Sequence, residues 1–294
     1  MLSKKDIQKE LGKQINIYPL CLDNIKENSV NFTLSEYAWS LSSGSVFLDS
    51  RRNKFRRPPA GYKGNKFFIA KGESAVLRKG NALYVVLLPH ATTIVETKEV
   101  IGVGNHIGGT LHSKVGTVAL GVGSISTMLG PNFCGHLMIS LHNVTDEAIE
   151  LPVGDTFVSL VFYYLKTPTN KTKNPNISGH VDKLAELEIE ITPEIRKDLA
   201  ADWKCDLDEI RKKMLQSDEF KKNQGNISIL RRYINLHNFI VCAVVLMLVF
   251  AIGAASWWID QKTRSDWFDK YWSLVVAIIL LPVLSKIKYL FKTE

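Results

Sequence analysis

Several patterns that assign a function directly are missing from this sequence. The four cysteines show no CxxC spacing and no paired framework, which excludes a disulfide-stapled fold and gives no metal signal. The N-terminal stretch "MLSKKDIQKELGKQ" has no apolar signal-peptide core. The glycine-rich stretch "GVGNHIGG" at 102–109 lacks the G-x-x-x-x-G-K-S/T pattern of a P-loop. These absences fit a chain that works in a reducing cytoplasm and point away from a P-loop nucleotidase.

Charge is plentiful but unevenly spread. The 294 residues include 37 Lys and Arg against 29 Asp and Glu, a formal net charge of +8. Part of the excess lies at 51–66 in "RRNKFRRPPAGYKGNK", which fits either a solvated loop or a rim that attracts phosphates or acidic lipid. The rest flanks two apolar runs, where anionic lipid would attract it. We predict no specific nucleic-acid partner.

Two apolar runs near the C-terminus predict a transmembrane hairpin. Residues 239–258 contain no charged residue over 20 positions, enough to cross a hydrocarbon core of about 30 Å as a helix. The second run, 271–284, is shorter, and Ile287, Tyr289 and Leu290 extend it. The alternative is a pair of buried core helices, but tryptophans and tyrosines bracket the connecting loop as an aromatic belt would.

The basic residues predict the orientation of this hairpin. Lysines and arginines precede the first run and follow the second, whereas the loop "DQKTRSDWFDK" holds three basic and three acidic residues. Under the positive-inside rule both ends face the cytoplasm. We therefore expect a multi-pass protein of the inner membrane, with the lipid bilayer as a partner and a cytoplasmic N-terminal domain.

The chain divides by composition into three parts. Residues 1–165 carry short strand-like runs separated by Gly, Pro, Asn and Asp turns, which predicts a barrel or sandwich. Residues 166–230 hold a polar connector and two helices that Thr192 and Asp206 would cap, interpreted as a stalk. Residues 231–294 hold the predicted hairpin.

Among the predicted strands, alternation in "HLMISLH" places Leu137, Ile139 and Leu141 on a core face. The residues between them lie on a face that lines a site, an interface or solvent.

One stretch carries a family resemblance. "STMLGPNFCGHLMISLHN" at 126–143 is similar to the dUTPase motif A-G-V-I-D-x-x-Y-x-G-x-V-x-V-x-L-x-N and to the dCTP deaminase ending G-x-I-x-L-E-x-x-N. The matching positions are Phe133, Gly135, Ile139, Leu141 and Asn143. "VGDTFVSLVF", "LSKKDI", "NSVNFTL" and "ETKEVIGVGNHIGG" extend the resemblance over about the first 165 residues. It implies a mainly β fold, a β-barrel or distorted jelly roll, and a trimer in which a hairpin pocket holds the base and sugar of a deoxynucleotide while a neighbouring subunit binds its phosphates.

The departures from the family pattern concern catalysis. The resemblance implies an aspartate that activates water in dUTPases, where this chain has Gly130, and a glutamate that shuttles protons in deaminases, where it has Ser140. Glycine has no side chain, and an unassisted hydroxyl is a very weak base near neutral pH. Both chemistries therefore lose their general base, and we assign no catalytic residue.

The phosphate motif of the family is degraded as well. One register places Lys114 at the first arginine, followed by Val115 and Gly116, and a shifted register places His112 there, followed by Ser113 and Lys114. In both registers the second arginine is absent, and lysine attracts phosphate without the bidentate geometry of arginine. The candidate ligand-binding residues are accordingly His112, Ser113, Lys114, Gly116, Met128, Gly130, Phe133 and Ser140.

The sequence contains no strong signal for another catalytic chemistry in place of the two lost general bases. His136 and His142 share a strand face but are six residues apart, about 20 Å, too far to ligate one metal. The H-x-E and P-C-x-x-C signature of zinc deaminases is absent. His112 with Lys114, or His106 with Asn105, is open to recruitment, although a lone histidine in a β-rich domain is more often structural. We predict no metal and no cofactor.

Three functions are compatible with these patterns. The leading hypothesis is a catalytically inactive domain that senses a nucleotide or cyclic nucleotide and controls the membrane hairpin, because binding needs shape and hydrogen bonds while turnover also needs proton-transfer groups. This arrangement resembles nucleotide-controlled membrane effectors of bacterial antiphage defence. The alternative is a membrane-anchored dCTP deaminase or dUTPase with an altered active site. A third possibility is a membrane scaffold that uses the fold only to form a homotrimer or higher oligomer.

Overall fold

The computed structural model describes residues 1–123, 126–170 and 180–225, together with Val244, Met247, Ala254, Trp257 and Trp258. The chain divides into two units, Met1–Asn223 and Gln224–Glu294, and the elements named here belong to the first. Its strands are β1 (Ile15–Tyr18), β2 (Val30–Ser40), β3 (Gly44–Asp49), β4 (Lys54–Arg56), β5 (Phe67–Ile69), β6 (Val76–Lys79), β7 (Ala82–Leu87), β8 (Thr92–Val103), β9 (Ile107–Ser113), β10 (Ser126–Leu129), β11 (Cys134–His142), β12 (Ile149–Pro152) and β13 (Thr156–Tyr164). Its α-helices are α1 (Lys4–Glu10), α2 (Val115–Ala119), α3 (Val181–Glu186), α4 (Pro193–Leu199) and α5 (Leu207–Gln216), with short 3-10 helices at Leu22–Asn24 and Asp202–Cys205.

The long strand β8 organises the main sheet. It pairs antiparallel with β11, with β1 near Ile101 and with β2 near Val95. The other half of β2 pairs with β13. On its other edge β13 pairs with β9, and β9 pairs with β10. The described residues also form two three-stranded sheets, β12-β7-β6 and β4-β3-β5. The prediction of a mainly β fold is confirmed, with the seven-stranded sheet curled around its core.

The core lies on one side of this sheet, as the strand alternation predicts. Leu137, Ile139 and Leu141 of β11 are buried in it with Phe32 and Phe162. Fully burying one such side chain stabilises the fold by about 1.5–3 kcal/mol relative to leaving it exposed. The "HLMISLH" pattern therefore fixes which face of β11 points inward.

The opposite face of β2, β8 and β11 is covered by the residues that follow the connector. Leu184 of α3 and Leu199 of α4 are fully buried in a cluster with Trp39 of β2 and Ile94 of β8. We call residues 180–205, from the start of α3 to the second 3-10 helix, the C-terminal layer. The predicted caps are present: the Thr192 hydroxyl accepts from the backbone N–H of Ile195 at 3.3 Å, and the Asp206 carboxylate accepts from that of Asp208 at 2.8 Å.

The helices interpreted from sequence as a stalk instead lie against the β domain. After the C-terminal layer, α5 places Met214 in the main core, and the backbone N–H of Leu22 donates to Glu219 at 3.2 Å. Residues 218–225 are also helical. The reason is that the apolar side chains of α3, α4 and α5 gather on one face of each helix, and packing that face on the sheet removes it from water.

The predicted membrane hairpin falls outside the described residues, apart from five positions of its first run. Within the described part of the chain, no helix combines the length and the apolarity needed to cross a bilayer.

The packing of the C-terminal layer gives a first prediction. Leu184→Ala should destabilise the docking of α3 by about 2–5 kcal/mol, because it removes fully buried methyl groups and leaves a cavity. Hydrogen–deuterium exchange should become faster across residues 180–199. The matched control is Leu215→Ala, since Leu215 is 38% exposed. Equal exchange rates in the two variants would mean that α3 contributes little to the packed unit.

Candidate functional site

The phosphate-motif residues lie where β9 ends and α2 begins. Lys114 is the N-cap residue of α2, and its ammonium donates a hydrogen bond to the Thr156 hydroxyl. Lys114 and Gly116 line a cavity of about 190 Å³ together with Asp155. A Cβ added at Gly116 would meet no atom within 4 Å, so a ligand can approach the backbone there. The cavity thus offers one cation, Lys114, to an anion but also presents two carboxylates, Glu150 and Asp155.

A second pair of candidates lies on the ladder between β9 and β10. His112 is opposite Ser126, and Met128 is opposite Thr110, so His112 and Met128 are diagonal neighbours on one face. The Thr110 hydroxyl lies 3.0 Å from His112 Nε2, and Met128 is 76% exposed. Ser113 points to the other face because side chains alternate along the strand.

The remaining candidates lie at the turn between β10 and β11 and along β11 itself. A Cβ at Gly130 would meet nothing within 4 Å, and Ser140 is exposed opposite Ile94 of β8. Phe133 packs partly against the main core, and its ring stacks with His180 of the C-terminal layer at a centroid distance of 6.4 Å. Within one chain, the cavity that holds Lys114 and Gly116 is lined by none of these three hairpin residues.

The structure also assembles a polar cluster that sequence reasoning missed. His136 of β11 is only 4% exposed, and its Nδ1 donates to the Thr97 carbonyl at 2.8 Å. Asp198 Oδ2 accepts from Tyr37 Oη at 2.8 Å and from Lys204 Nζ at 2.9 Å. Tyr37, His136, Asp198 and Lys204 all line one cavity of about 380 Å³. The one available signal was the alternation of "HLMISLH", which placed His136 on the face that is not the core.

Burial governs protonation in this cluster. Burial, followed by the nearby Lys204 charge, lowers the pKa of His136 to about 4. Burial also raises the pKa of Glu96, although His180 partly opposes the shift. Glu96 lies opposite Met138 on the same outer face, and its Oε1 is 3.7 Å from His180 Nδ1. Burial therefore favours the neutral form of both the His136 imidazole and the Glu96 carboxyl group.

This cluster does not have the character of a metal centre. The described ranges contain no group of three or more His, Cys, Asp or Glu side chains arranged to hold a metal ion. The Lys204 ammonium acts electrostatically on both Glu96 and His136.

Comparisons with known proteins bear on residues 1–165, which match the sequence profile of the dCTP deaminase-like family. The dCTP deaminases of Pyrococcus horikoshii and Pyrococcus furiosus are 26% and 27% identical to this chain over 124 residues, 41% of this chain and 78% of each relative. The crystal structure of 2'-deoxycytidine 5'-triphosphate deaminase from Agrobacterium tumefaciens aligns with a TM-score of 0.37 and 15% identity, covering 65% of this chain and 54% of that one. The family match ends before the C-terminal layer, so His180, Asp198 and Lys204 lie outside it.

The buried Glu96 gives a prediction for the pH dependence of stability. Because its native pKa is raised above the ordinary value of 4.5, the native state holds this proton to a higher pH than the unfolded chain does. The protein then loses stability as the pH rises from 4.5 through the native pKa. Glutamine does not titrate, so the melting temperature of Glu96→Gln should rise relative to wild type between pH 5 and pH 8.

The control for this measurement is Glu190→Gln, since Glu190 is exposed. Its melting temperature should keep a constant offset from wild type across the same pH range. If the melting temperatures of Glu96→Gln and wild type differ by a constant amount across this pH range, the raised pKa of Glu96 is contradicted.

Proposed function

The chain belongs to the dCTP deaminase-like family through residues 1–165, and on that premise we propose that this domain binds a nucleotide, linear or cyclic, without converting it. The bound nucleotide controls a C-terminal hairpin embedded in the membrane. The observation that carries the proposal is the pair Gly130 and Ser140, which occupy the two positions where the resemblance implies general bases.

The surroundings of these two residues support a pocket without turnover. Gly130 faces open space, so no neighbouring side chain fills the position of the missing aspartate. Ser140 is exposed, and a solvated hydroxyl cannot take a proton near neutral pH. Phe133 and the core face of β11 keep the hairpin scaffold in place. Shape and hydrogen bonds suffice for affinity, whereas the chemical step needs a base.

An oligomer would complete the site. The cavity beside Lys114 and Gly116 measures about 190 Å³, below the range of about 300–1,000 Å³ usual for small-molecule pockets. We propose a homotrimer or higher oligomer in which Lys114 of one subunit faces the β11 hairpin of the next. The nucleotide would then lie between subunits, with its phosphates near Lys114 and its base and sugar near Phe133.

The membrane part of the proposal rests on the apolar runs 239–258 and 271–284. Val244 and Met247 are helical, and their side chains are 44% and 65% exposed; lipid would cover such surface favourably. We place the hairpin in the inner membrane, with the N-terminal domain and the C-terminus in the cytoplasm. Ligand binding controls the hairpin if the nucleotide prefers one arrangement of its helices over another. Such a unit suits antiphage defence, where a nucleotide signal triggers membrane disruption.

One observation favours the alternative of a membrane-anchored deaminase or diphosphatase. In the β8–β11 ladder Glu96 is opposite Met138, and Ser140 is opposite Ile94. Glu96 and Ser140 are therefore diagonal neighbours, whose Cα atoms are expected about 7–8 Å apart. Glu96 is the candidate for a displaced general base in that alternative. Its complete burial under the C-terminal layer and its raised pKa favour binding without turnover.

The decisive measurement is binding and turnover on the same sample. The whole 294-residue chain, purified in mild detergent, should bind dCTP, dUTP or a cyclic nucleotide by calorimetry and release no deaminated or dephosphorylated product. Lys114→Ala should weaken nucleotide affinity about 10–100-fold, the loss expected for one hydrogen bond to a charged group. Lys197→Ala, which removes an exposed lysine of α4, should leave the affinity unchanged.

Two outcomes would replace the proposal. Product formation that Glu96→Gln abolishes would establish the altered enzyme. Absence of binding to every nucleotide tested would favour the oligomeric scaffold.

The control of the membrane gives a separate prediction. Expression of the whole chain in bacterial cells should lower the membrane potential, read with a voltage-sensitive dye, to an extent that depends on the level of the bound nucleotide. Lys114→Ala should shift the nucleotide level at which the change occurs, because the affinity changes. A membrane potential that stays constant at every nucleotide level would count against the effector.

A further inference from the structure

The cavity of about 380 Å³ between the β domain and the C-terminal layer combines strand residues from the family-like stretches with two residues that lie outside the family match. Tyr37 and His136 line it from the strands, and Asp198 and Lys204 line it from the C-terminal layer. Its size falls within the range of small-molecule pockets, about 300–1,000 Å³. None of the residues aligned with the phosphate motif or with the missing catalytic bases lines it.

One of the residues that line the cavity, His136, carries a buried acceptor. Since a carbonyl can only accept, His136 Nδ1 carries the hydrogen that it donates to Thr97 at 2.8 Å, and Nε2 holds the lone pair. His136 is 4% exposed, and its Nε2 finds no hydrogen-bond partner among the described residues. A buried acceptor left without a donor costs about 1–3 kcal/mol. A molecule that offers an N–H or O–H group at this point would recover that energy.

A donor lies in the same cavity. The side chain of Lys204 is only 8% exposed, and Asp198 accepts from its Nζ at 2.9 Å. An ammonium carries three donors, so Lys204 can serve an additional acceptor.

The charges of the lining cancel. Lys98 and Lys204 are matched by Glu36 and Asp198, so the cavity does not call for a charged occupant. A triphosphate would have to bring its charges beside two carboxylates.

We propose that this cavity is a second binding site, which takes an uncharged molecule carrying a donor and an acceptor side by side, the hydrogen-bonding pattern of a nucleobase. The donor of the ligand meets His136 Nε2, and its acceptor meets Lys204 Nζ. A nucleoside satisfies both requirements without its phosphates. Because the site draws on the strands and on the C-terminal layer, the bound ligand holds the two together. This proposal does not depend on nucleotide binding near Lys114.

The experiment uses the whole 294-residue chain and the four ribonucleosides cytidine, uridine, adenosine and guanosine, each at millimolar concentration. At least one nucleoside should raise the melting temperature and slow hydrogen exchange across residues 193–205, because a ligand that binds the folded state stabilises it. Lys204→Met should weaken the affinity for that nucleoside at least tenfold. Lys204→Arg, which keeps a cationic donor, should weaken it less. The exposed Lys197→Met is the matched control and should leave the affinity unchanged.

His136→Phe removes the acceptor and provides a second test, with circular dichroism and the ligand-free melting temperature as checks of folding. If that variant does not fold, the pair of Lys204 variants decides the question alone.

Gly130→Trp distinguishes this site from the motif site, because its side chain would occupy the open space beside the hairpin, where the base and sugar of a nucleoside bound at the motif would lie. If it weakens nucleoside binding as much as Lys204→Met does, the nucleoside binds at the motif, and the second site is overturned. Absence of any nucleoside effect on melting or exchange also overturns it. Nucleoside binding that depends on Lys204 in a chain that fails to bind nucleotides would sustain the second site while refuting the function proposed for the motif.

Discussion

The structure of the described domain depends on the burial of both faces of strands β8 and β11. One face carries Leu137, Ile139 and Leu141 into the main core. The other face is covered by α3 and α4 through Leu184 and Leu199. A sheet with only one covered face can leave polar side chains in water on the other. Here the second cover forces Glu96 and His136 into a dry environment, which explains why both resist ionisation.

That double burial also sets the environment of the acidic group nearest to the β11 hairpin. Gly130 and Ser140 of this hairpin face solvent. The carboxyl group nearest in register to Ser140 across the ladder, Glu96, is enclosed under the C-terminal layer. Burial of Glu96 therefore disfavours its ionised form. The same enclosure creates the cavity beside His136 and Lys204.

The C-terminal layer connects these sites to the rest of the chain. It stacks His180 on Phe133 and joins Tyr37 to Lys204 through Asp198. A ligand that contacts both the strands and this layer changes the free energy of their docking. Such a ligand acts through a difference in affinity between docked and undocked layers.

The sequence by itself determined whatever depends on neighbours a few positions apart. Strand alternation identified the core face of β11, Thr192 and Asp206 marked their helix starts, and the motif at 126–143 located Gly130 and Ser140. The sequence also led to the expectation that the helices after residue 166 form a stalk. A helix pattern shows that an apolar face exists, but it does not show what packs against that face. Only the tertiary structure shows that the apolar faces of α3 and α4 pack against the outer face of β8 and β11. The pair Tyr37 and Asp198, 161 positions apart, and the enclosure of His136 follow from that packing. Local periodicity is set by backbone geometry, whereas contacts between distant segments depend on which surfaces exclude water together.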